Sequence, residues 1–379
     1  MLKKFILPTS LLAGTIIGAG IFSLPFVFEK SGLITGLVYL VFLTAVASFI
    51  HLMYADIIVR TPEHHHRFPG YAKIYLGKNA GLLANVVTFV ALFLTLTVYL
   101  VLSVSFLNLI TPHLPLIFKI LIFWILGSLA VFLGIRKAAF FESATTIITL
   151  LMIFLIFFLG FFSHPEKILS LNFVNSGFLF FPFGAVLFAL LGESAIPPLI
   201  AYFRKENMDF SKIKKIIVWG AVIPAFFYLL FVFGILGLSG KTVSEDAVSG
   251  LIGVTPPIIL MILGVFGFIS LWDSYAAIGT DAKKIMEYEW KLPKLTVSLI
   301  IIFAPLILYF SGLQNFLELV SVVGGILYGL WGLLTVLVWR KAAQIESQTY
   351  LLKKISPIIV CLLILIFVAG IIYHAVNFL

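Results

Sequence analysis

A single cysteine, Cys361, set in an apolar run, excludes a disulfide framework and a thiolate metal site. Charge is scarce as well: 11% of the 379 residues are charged and only 16 are acidic, against 62% hydrophobic, and mean hydropathy is +1.18. A soluble domain of this length has no interior large enough for so much apolar side chain, so a lipid bilayer is the solvent that fits. A concentrated basic face is missing too. The net charge of +9 is spread over many short loops, which argues against nucleic acid as a partner. No span holds a His-Glu-x-x-His pattern, a catalytic carboxylate pair or a nucleophile with its base, so neither an enzyme nor a resident cofactor is expected. No low-complexity tract or long linker interrupts the chain, which reads as one transmembrane domain over residues 1–379.

What the sequence does have is a succession of apolar runs of about 20 residues, the length that crosses the hydrocarbon layer. The expected architecture is all-α and polytopic, with eleven spans near 6–28, 33–59, 80–110, 115–135, 140–162, 176–203, 214–238, 256–281, 295–311, 315–339 and 355–377. Lys3 and Lys4 ahead of the first run resemble the start of a signal peptide. The run passes signal length, reaching Phe28 without a small-residue cleavage site, and is read as a span. Cytoplasmic loops retain Lys and Arg during insertion. With the N-terminus inside, the opposite face receives only Lys30, Lys119, Lys167 and Lys241 of the 25 basic residues. This places the chain in the cytoplasmic (inner) membrane with the N-terminus cytoplasmic and the C-terminus outside. Two loops could carry structure, or be plain connections: 61–78, with Gly70, Tyr71 and Tyr75, as a short amphipathic helix, and 240–255 as an external lid.

Bare peptide groups are tolerated at membrane depth only where they line a cavity, so breaks in spans point to sites. The first span contains Gly14, Gly18 and Gly20 followed by Pro25, and the sixth contains Gly192, Glu193 and Ser194 followed by Pro197 and Pro198. If spans one to five (about 6–162) and six to ten (about 176–339) are repeats, with 355–377 as an extra helix, each repeat opens on its broken helix. That is the pattern of inverted-repeat transporters, and an odd number of spans per repeat inverts the second half. Half-helix amino ends attract a carboxylate and freed carbonyls hold an ammonium group, which suits a zwitterion. The competing reading of the first break is a packing seam, since Gly14 and Gly18 are spaced for close helix contact.

The stretch Gly14-Thr15-Ile16-Ile17-Gly18-Ala19-Gly20-Ile21-Phe22 with Leu24-Pro25 resembles the first-helix signature of the amino acid, polyamine and organocation superfamily, especially its amino acid and auxin permease branch. Leu191-Gly192-Glu193-Ser194-Ala195 is similar to that superfamily's Gly-x-Glu-Ser pattern in the sixth helix. The resemblance implies a LeuT-type fold of five plus five spans and an extra one, with helices one and six broken. It also implies an amino acid substrate between them; the phenylalanine-rich interior and the absence of a mid-span Lys or Arg favour a neutral or aromatic one over a dianionic one, and Glu193 leaves a cationic one open. It would place the substrate carboxylate near Gly18, Ala19 and Gly20, with Thr15 and Ile17 alongside, and its amino group near Gly192, Glu193 and Ser194. Tyr99 of the third span is the candidate to close over it, with ordinary packing as the alternative in a chain of 39 Phe and 13 Tyr. A cation site would draw on Gly14, Ile17, Ser270, Asp273 and Ser274.

Ionisable groups inside a bilayer are functional candidates by default, because a central charge costs roughly 3 kcal/mol or more. Glu193 sits in the second break without a mid-span Lys or Arg to neutralise it, and is read either as a proton-coupling or gating residue or as a neutral acid holding the broken helix. Asp273 lies between Ser270 and Ser274, and could carry a proton, bind sodium, or face a watery vestibule. Counting back from Asp281 puts Phe266 and Gly267 where a sodium site would have two hydroxyls, which favours a proton. Asp56, Glu142 and Asp281 fall at cytoplasmic helix ends, where gate pairs and solvated ends look alike. His64, His65 and His66 lack partnering acids, and no metal site is expected. The expected function is secondary active transport by alternating access, with a sodium symporter or an exchanger of the same fold, and a non-transporting nutrient sensor, as rivals. A channel would need a continuous polar pore. Oligomeric state is not legible.

Overall fold

Runs of Leu, Ile, Val and Phe form helices that keep their backbone hydrogen bonds internal, as hydrocarbon demands. The computed structural model describes residues 5–61, 67–133, 139–169, 171–239, 242–345, 350–353 and 355–378, without the side chains of 139–144, 163 and 169. His64–His66 and the Glu142 side chain lie outside the described residues. Among those described there is helix and turn and no strand.

The first span is α1 (Leu7–Ile16) and α2 (Leu24–Ser31), joined through a tight turn at Ala19–Ser23 and bent by 47°. The second is α3 (Leu33–Arg60); after α4 (Phe68–Leu76) come α5 (Lys78–Ile110), α6 (Leu116–Leu133) and α7 (Ala139–Ser163), with α8 (Pro165–Leu169) on the far side. The sixth span is α9 (Pro182–Leu190) and α10 (Ile196–Lys205), followed by α11 (Ile213–Leu238), α12 (Pro257–Glu289) and α13 (Lys294–Phe310). The tenth is α14 (Phe316–Val322) and α15 (Tyr328–Ala342) with a π-helical turn at Val323–Leu327 between them, and α16 (Pro357–Phe378) ends the chain. Nine helices among the described residues are long and apolar enough to cross a membrane, and the bent first pair makes a tenth. The 17-residue α13, about 25 Å long, is shorter, and fills the remaining expected position.

Two boundaries differ from expectation. The sixth span starts at Pro182, not 176, because Ser176–Phe178 forms a separate turn. Helix α12 runs on to Glu289, past the expected end at 281. The charges at Asp281, Lys283 and Lys284 resemble a loop, yet Ala, Lys, Met and Glu are strong helix formers and carry the helix out of the bilayer.

Burial sorts the spans. The window of Pro182–Lys205 is 78% buried and that of α16 only 28%, so the sixth span is interior and α16 peripheral. Helix α11 packs on α1, α3 and α7, and α12 on α5, α6 and α7, enclosing both broken spans.

The two ends of the bundle are built differently. At one end Asp56, fully buried, accepts hydrogen bonds from Arg60 Nε (2.8 Å), Trp339 Nε1 (2.8 Å), and the amides of Leu351 (2.5 Å) and Leu352 (3.2 Å). It therefore pins the segment between α15 and α16 onto α3. Arg204 donates to the Ile58 carbonyl at the same end (3.1 Å). Removing an acceptor that serves several buried donors, one of them charged, is expected to cost about 3–5 kcal/mol, so Asp56→Ala should melt well below the parent in detergent. A melting temperature equal to the parent's would contradict this account of the anchor. At the other end Lys119 donates to Asn108 Oδ1 (2.5 Å) and Lys167 to the Ser239 carbonyl (2.8 Å).

The described parts of the loops at 61–78 and 240–255 carry local structure. Arg67 opens α4, which buries Phe68 and Tyr71. Residues 242–255 form a packed cover in which Asp246 accepts from the Val248 and Ser249 amides (3.2 and 3.0 Å) and the Val243 amide donates to Glu29 on α2 (3.2 Å).

Candidate functional site

Helix α1 stops where Ile17 and Gly18 turn extended, at φ/ψ of −72°/96° and −139°/−152°. Helix α9 stops where Leu191 turns extended (−84°/130°), followed by Gly192 at −139°/40°. The two breaks differ in one respect: the first redirects the chain, whereas Pro182–Lys205 runs on as one span of 24 residues. They touch directly. A Cβ on Gly20 would fall 2.5 Å from the Ala189 Cα, and one on Gly192 2.5 Å from Ile16 Cγ1, so glycine is what lets the spans cross at backbone distance.

Ending a helix strips its last carbonyls of partners. Two such carbonyls, Ile16 O and Ala189 O, lie 2.7 and 2.6 Å from the hydroxyl of Tyr228 on α11, which donates to both. Tyr228 is fully buried, and its one proton ties the two breaks together. On the other face of the first break, a Cβ on Gly18 would lie 3.1 Å from Tyr99 Oη and 4.0 Å from Ser274 Oγ. The Tyr99 hydroxyl therefore lies against Gly18. Phe22, just past the break, meets Phe106 and Phe231 edge to face at centroid distances of 5.0 and 5.3 Å.

The residues expected around Asp273 converge. Gly14, Ile17, Ser270, Asp273 and Ser274 line one cavity of about 20 Å³, together with Thr145, Thr146 and Thr149 of α7. Thr145 donates to Asp273 Oδ2 (2.8 Å) and Thr149 to Ser270 Oγ (2.8 Å). That volume holds about one water or one bare cation, and the polar lining is oxygen throughout. Gly267 lies against the Phe106 ring, and the hydroxyls are at Ser270 and Ser274.

Glu193 is elsewhere. With Ser194, Tyr54 and Tyr328 it lines a separate cavity of about 30 Å³, closed toward the basic end by Arg67 and Asp281, 3.5 Å apart. Glu193 and Asp273 thus line two separate cavities. Thr15 is turned away as well, its hydroxyl bonded to the Leu11 carbonyl (2.9 Å). Ala19 is buried within the turn.

Several site residues escaped the sequence reading. Thr145 and Thr149 stand four apart on α7 and make a hydroxyl stripe that was legible once a partner helix was known. Tyr228 is one of 13 tyrosines, without a local signal. His51, whose Nε2 accepts the Gly192 amide (3.1 Å), was detectable as an ionisable residue in mid-span.

The chain has the LeuT-type fold of membrane transporters, not of enzymes. The crystal structure of MhsT in complex with L-phenylalanine matches it with a TM-score of 0.66 over 98% of this chain and 97% of that one, at 15% identity. The transmembrane amino acid transporter protein family matches residues 8–240, and the chain belongs to that family. No curated protein compared with it matches in sequence.

Proposed function

We propose that this protein moves a neutral or aromatic amino acid across the cytoplasmic membrane by alternating access, driven by a cation bound at Asp273. The observation that carries this reading is the convergence where the first and sixth spans meet: two broken spans, both freed carbonyls on Tyr228, and Tyr99 against Gly18. Family membership supports the amino acid class, and Phe22, Phe106 and Phe231 beside the break suit an apolar side chain. The phenylalanine seen in MhsT points the same way. The repeats span about 6–162 and 176–339, with 355–377 outside them, and the end carrying Arg60, Arg67 and Arg204 faces the cytoplasm by the positive-inside bias.

Sodium is the cation that this lining favours, because a hard monovalent ion takes carboxylate, hydroxyl and carbonyl oxygens in a cage of one-water size. A second reading, a proton on the same carboxylate, draws on the Thr145 hydroxyl, which would serve a neutral acid equally well. One inward charge at about 100 mV contributes about 2.3 kcal/mol, enough for roughly 50-fold accumulation of a neutral substrate.

The test is uptake of pooled labelled amino acids into proteoliposomes under imposed sodium, pH and voltage gradients, comparing the parent with Glu193→Gln. Accumulation should follow one cation gradient and the voltage. Glu193→Gln should slow uptake about tenfold, equivalent to about 1.4 kcal/mol, while keeping its cation dependence, because the two acids occupy separate cavities. Loss of cation dependence in that variant would move the coupling to Glu193. Ligand-induced stabilisation without any flux would make the protein a sensor.

A further inference from the structure

We infer that His51 is a proton-operated latch on the sixth span, holding the Gly192 amide when neutral and releasing it when protonated. This rests on the reading that the Gly192 break belongs to the substrate site.

His51 is fully buried on α3, and its Nε2 accepts the Gly192 N–H at 3.1 Å. A neutral imidazole that accepts at Nε2 must carry its proton on Nδ1. That nitrogen has no hydrogen-bond partner among the described residues. A second histidine shows what a settled one looks like here. His374 on α16 likewise accepts an amide of α9 at Nε2, that of Gly184 (3.2 Å), but its Nδ1 donates to the Gly370 carbonyl (2.9 Å). His374 has both nitrogens spent and is structural; His51 has one held in reserve, at the break itself.

An added proton can attach only to the Nε2 lone pair, which is the pair that now accepts from Gly192. Protonation and the His51–Gly192 hydrogen bond therefore exclude each other, and an imidazolium facing the Gly192 N–H sets donor against donor. The released amide stands at an unwound turn, free to donate to a substrate carboxylate, which puts the carboxylate at this break and not beside Gly18, Ala19 and Gly20 as the family resemblance implies. The ionisable groups on the elements packed against α3 are Glu29 and Lys30 on α2, Tyr202, Arg204 and Lys205 on α10, Lys214, Lys215 and Tyr228 on α11, and Tyr328, Arg340 and Lys341 on α15, with Glu193 beside Gly192; Tyr39, Tyr54, Asp56 and Arg60 share its own helix. None of them hydrogen-bonds to the ring, and Asp56 is taken up by Arg60 and Trp339. No fixed ion pair thus locks His51 in either state.

The experiment uses the full chain in lipid nanodiscs, with ¹⁵N-labelled histidine and glycine. The His51 signals are assigned by through-space transfer from the Gly192 amide. As pH falls, the His51 ring should pass from the Nδ1–H form to imidazolium, and the Gly192 amide signal should move with the same midpoint. A ring that titrates while Gly192 stays still, or one that stays neutral until the protein unfolds, overturns the latch. In proteoliposomes, substrate affinity should rise up to about tenfold per pH unit as pH falls through that midpoint. His51→Gln, whose side-chain oxygen accepts the same amide without titrating, should flatten this to under about twofold. An unchanged pH profile in His51→Gln also overturns the proposal. Because the resonance measurement needs no flux, a parent protein that fails to transport sinks the functional reading and leaves the latch to be judged separately.

Discussion

Asp273→Asn is expected to abolish concentrative uptake while leaving exchange intact. Asparagine keeps the size of the side chain and an oxygen that can still accept from Thr145, so the packing of α12 against α7 should hold. What it removes is the single formal charge in a cavity of about 20 Å³ whose other polar side chains, those of Thr145, Thr146, Thr149, Ser270 and Ser274, are neutral hydroxyls. A cation in so small a space has no water shell to replace that charge, and a charge leaving water needs a partner. If the cation cannot bind, the voltage does no work on the substrate. The accumulation ratio should fall from roughly 50-fold to about one, a loss of about 2.3 kcal/mol. Exchange of labelled for unlabelled substrate needs no net cation movement and should persist. Proteoliposomes read both quantities in one preparation. An Asp273→Asn protein that still accumulates substrate against a gradient would show that coupling lies elsewhere, and Glu193 in its separate cavity would be the next candidate.

The sequence made the span plan legible because hydrocarbon imposes it residue by residue: each apolar run had to become a helix, and basic residues had to sort by side. It also exposed the two breaks, since glycines followed by proline in mid-span have few other uses, and the helices do stop at Gly18 and Gly192. The membership of the Asp273 cavity was partly readable. Gly14, Ile17, Ser270 and Ser274 converge, whereas Thr145 and Thr149 came from a helix more than 100 residues away in sequence, brought in by the fold. The placement of Glu193 was not readable, because four residues along a broken helix can face either of two cavities and only the local turn decides. The end of α12 was misjudged for a different reason: charge marks where the membrane ends, not where the helix does. Tyr228 and His51 hold backbone atoms, and a side chain that recognises main chain leaves no pattern in the partner's sequence.

Tyr228→Phe should have an effect out of proportion to the single oxygen removed. The ring is fully buried, and phenylalanine fills the same volume, so no cavity is created. The two carbonyls, Ile16 O and Ala189 O, lose the donor they share. Each stands where a helix has ended, with no amide four residues on to turn to, and a buried carbonyl left unpaired costs about 1–3 kcal/mol. The cost falls only on the conformation in which both breaks sit together on α11. Any state that lets water reach either carbonyl is relieved of it. The variant should therefore melt lower than the parent by an amount corresponding to about 1–3 kcal/mol. Its substrate affinity should drop by roughly 5- to 150-fold if the closed crossing is the binding form, since the apparent constant scales with the population of the competent state. Equilibrium binding and thermal unfolding on the same sample separate the two contributions. Parent-like stability with weakened binding would assign the hydroxyl to substrate, and parent-like values of both would mean that the two breaks are held at backbone distance by the glycine contacts at Gly20 and Gly192 alone.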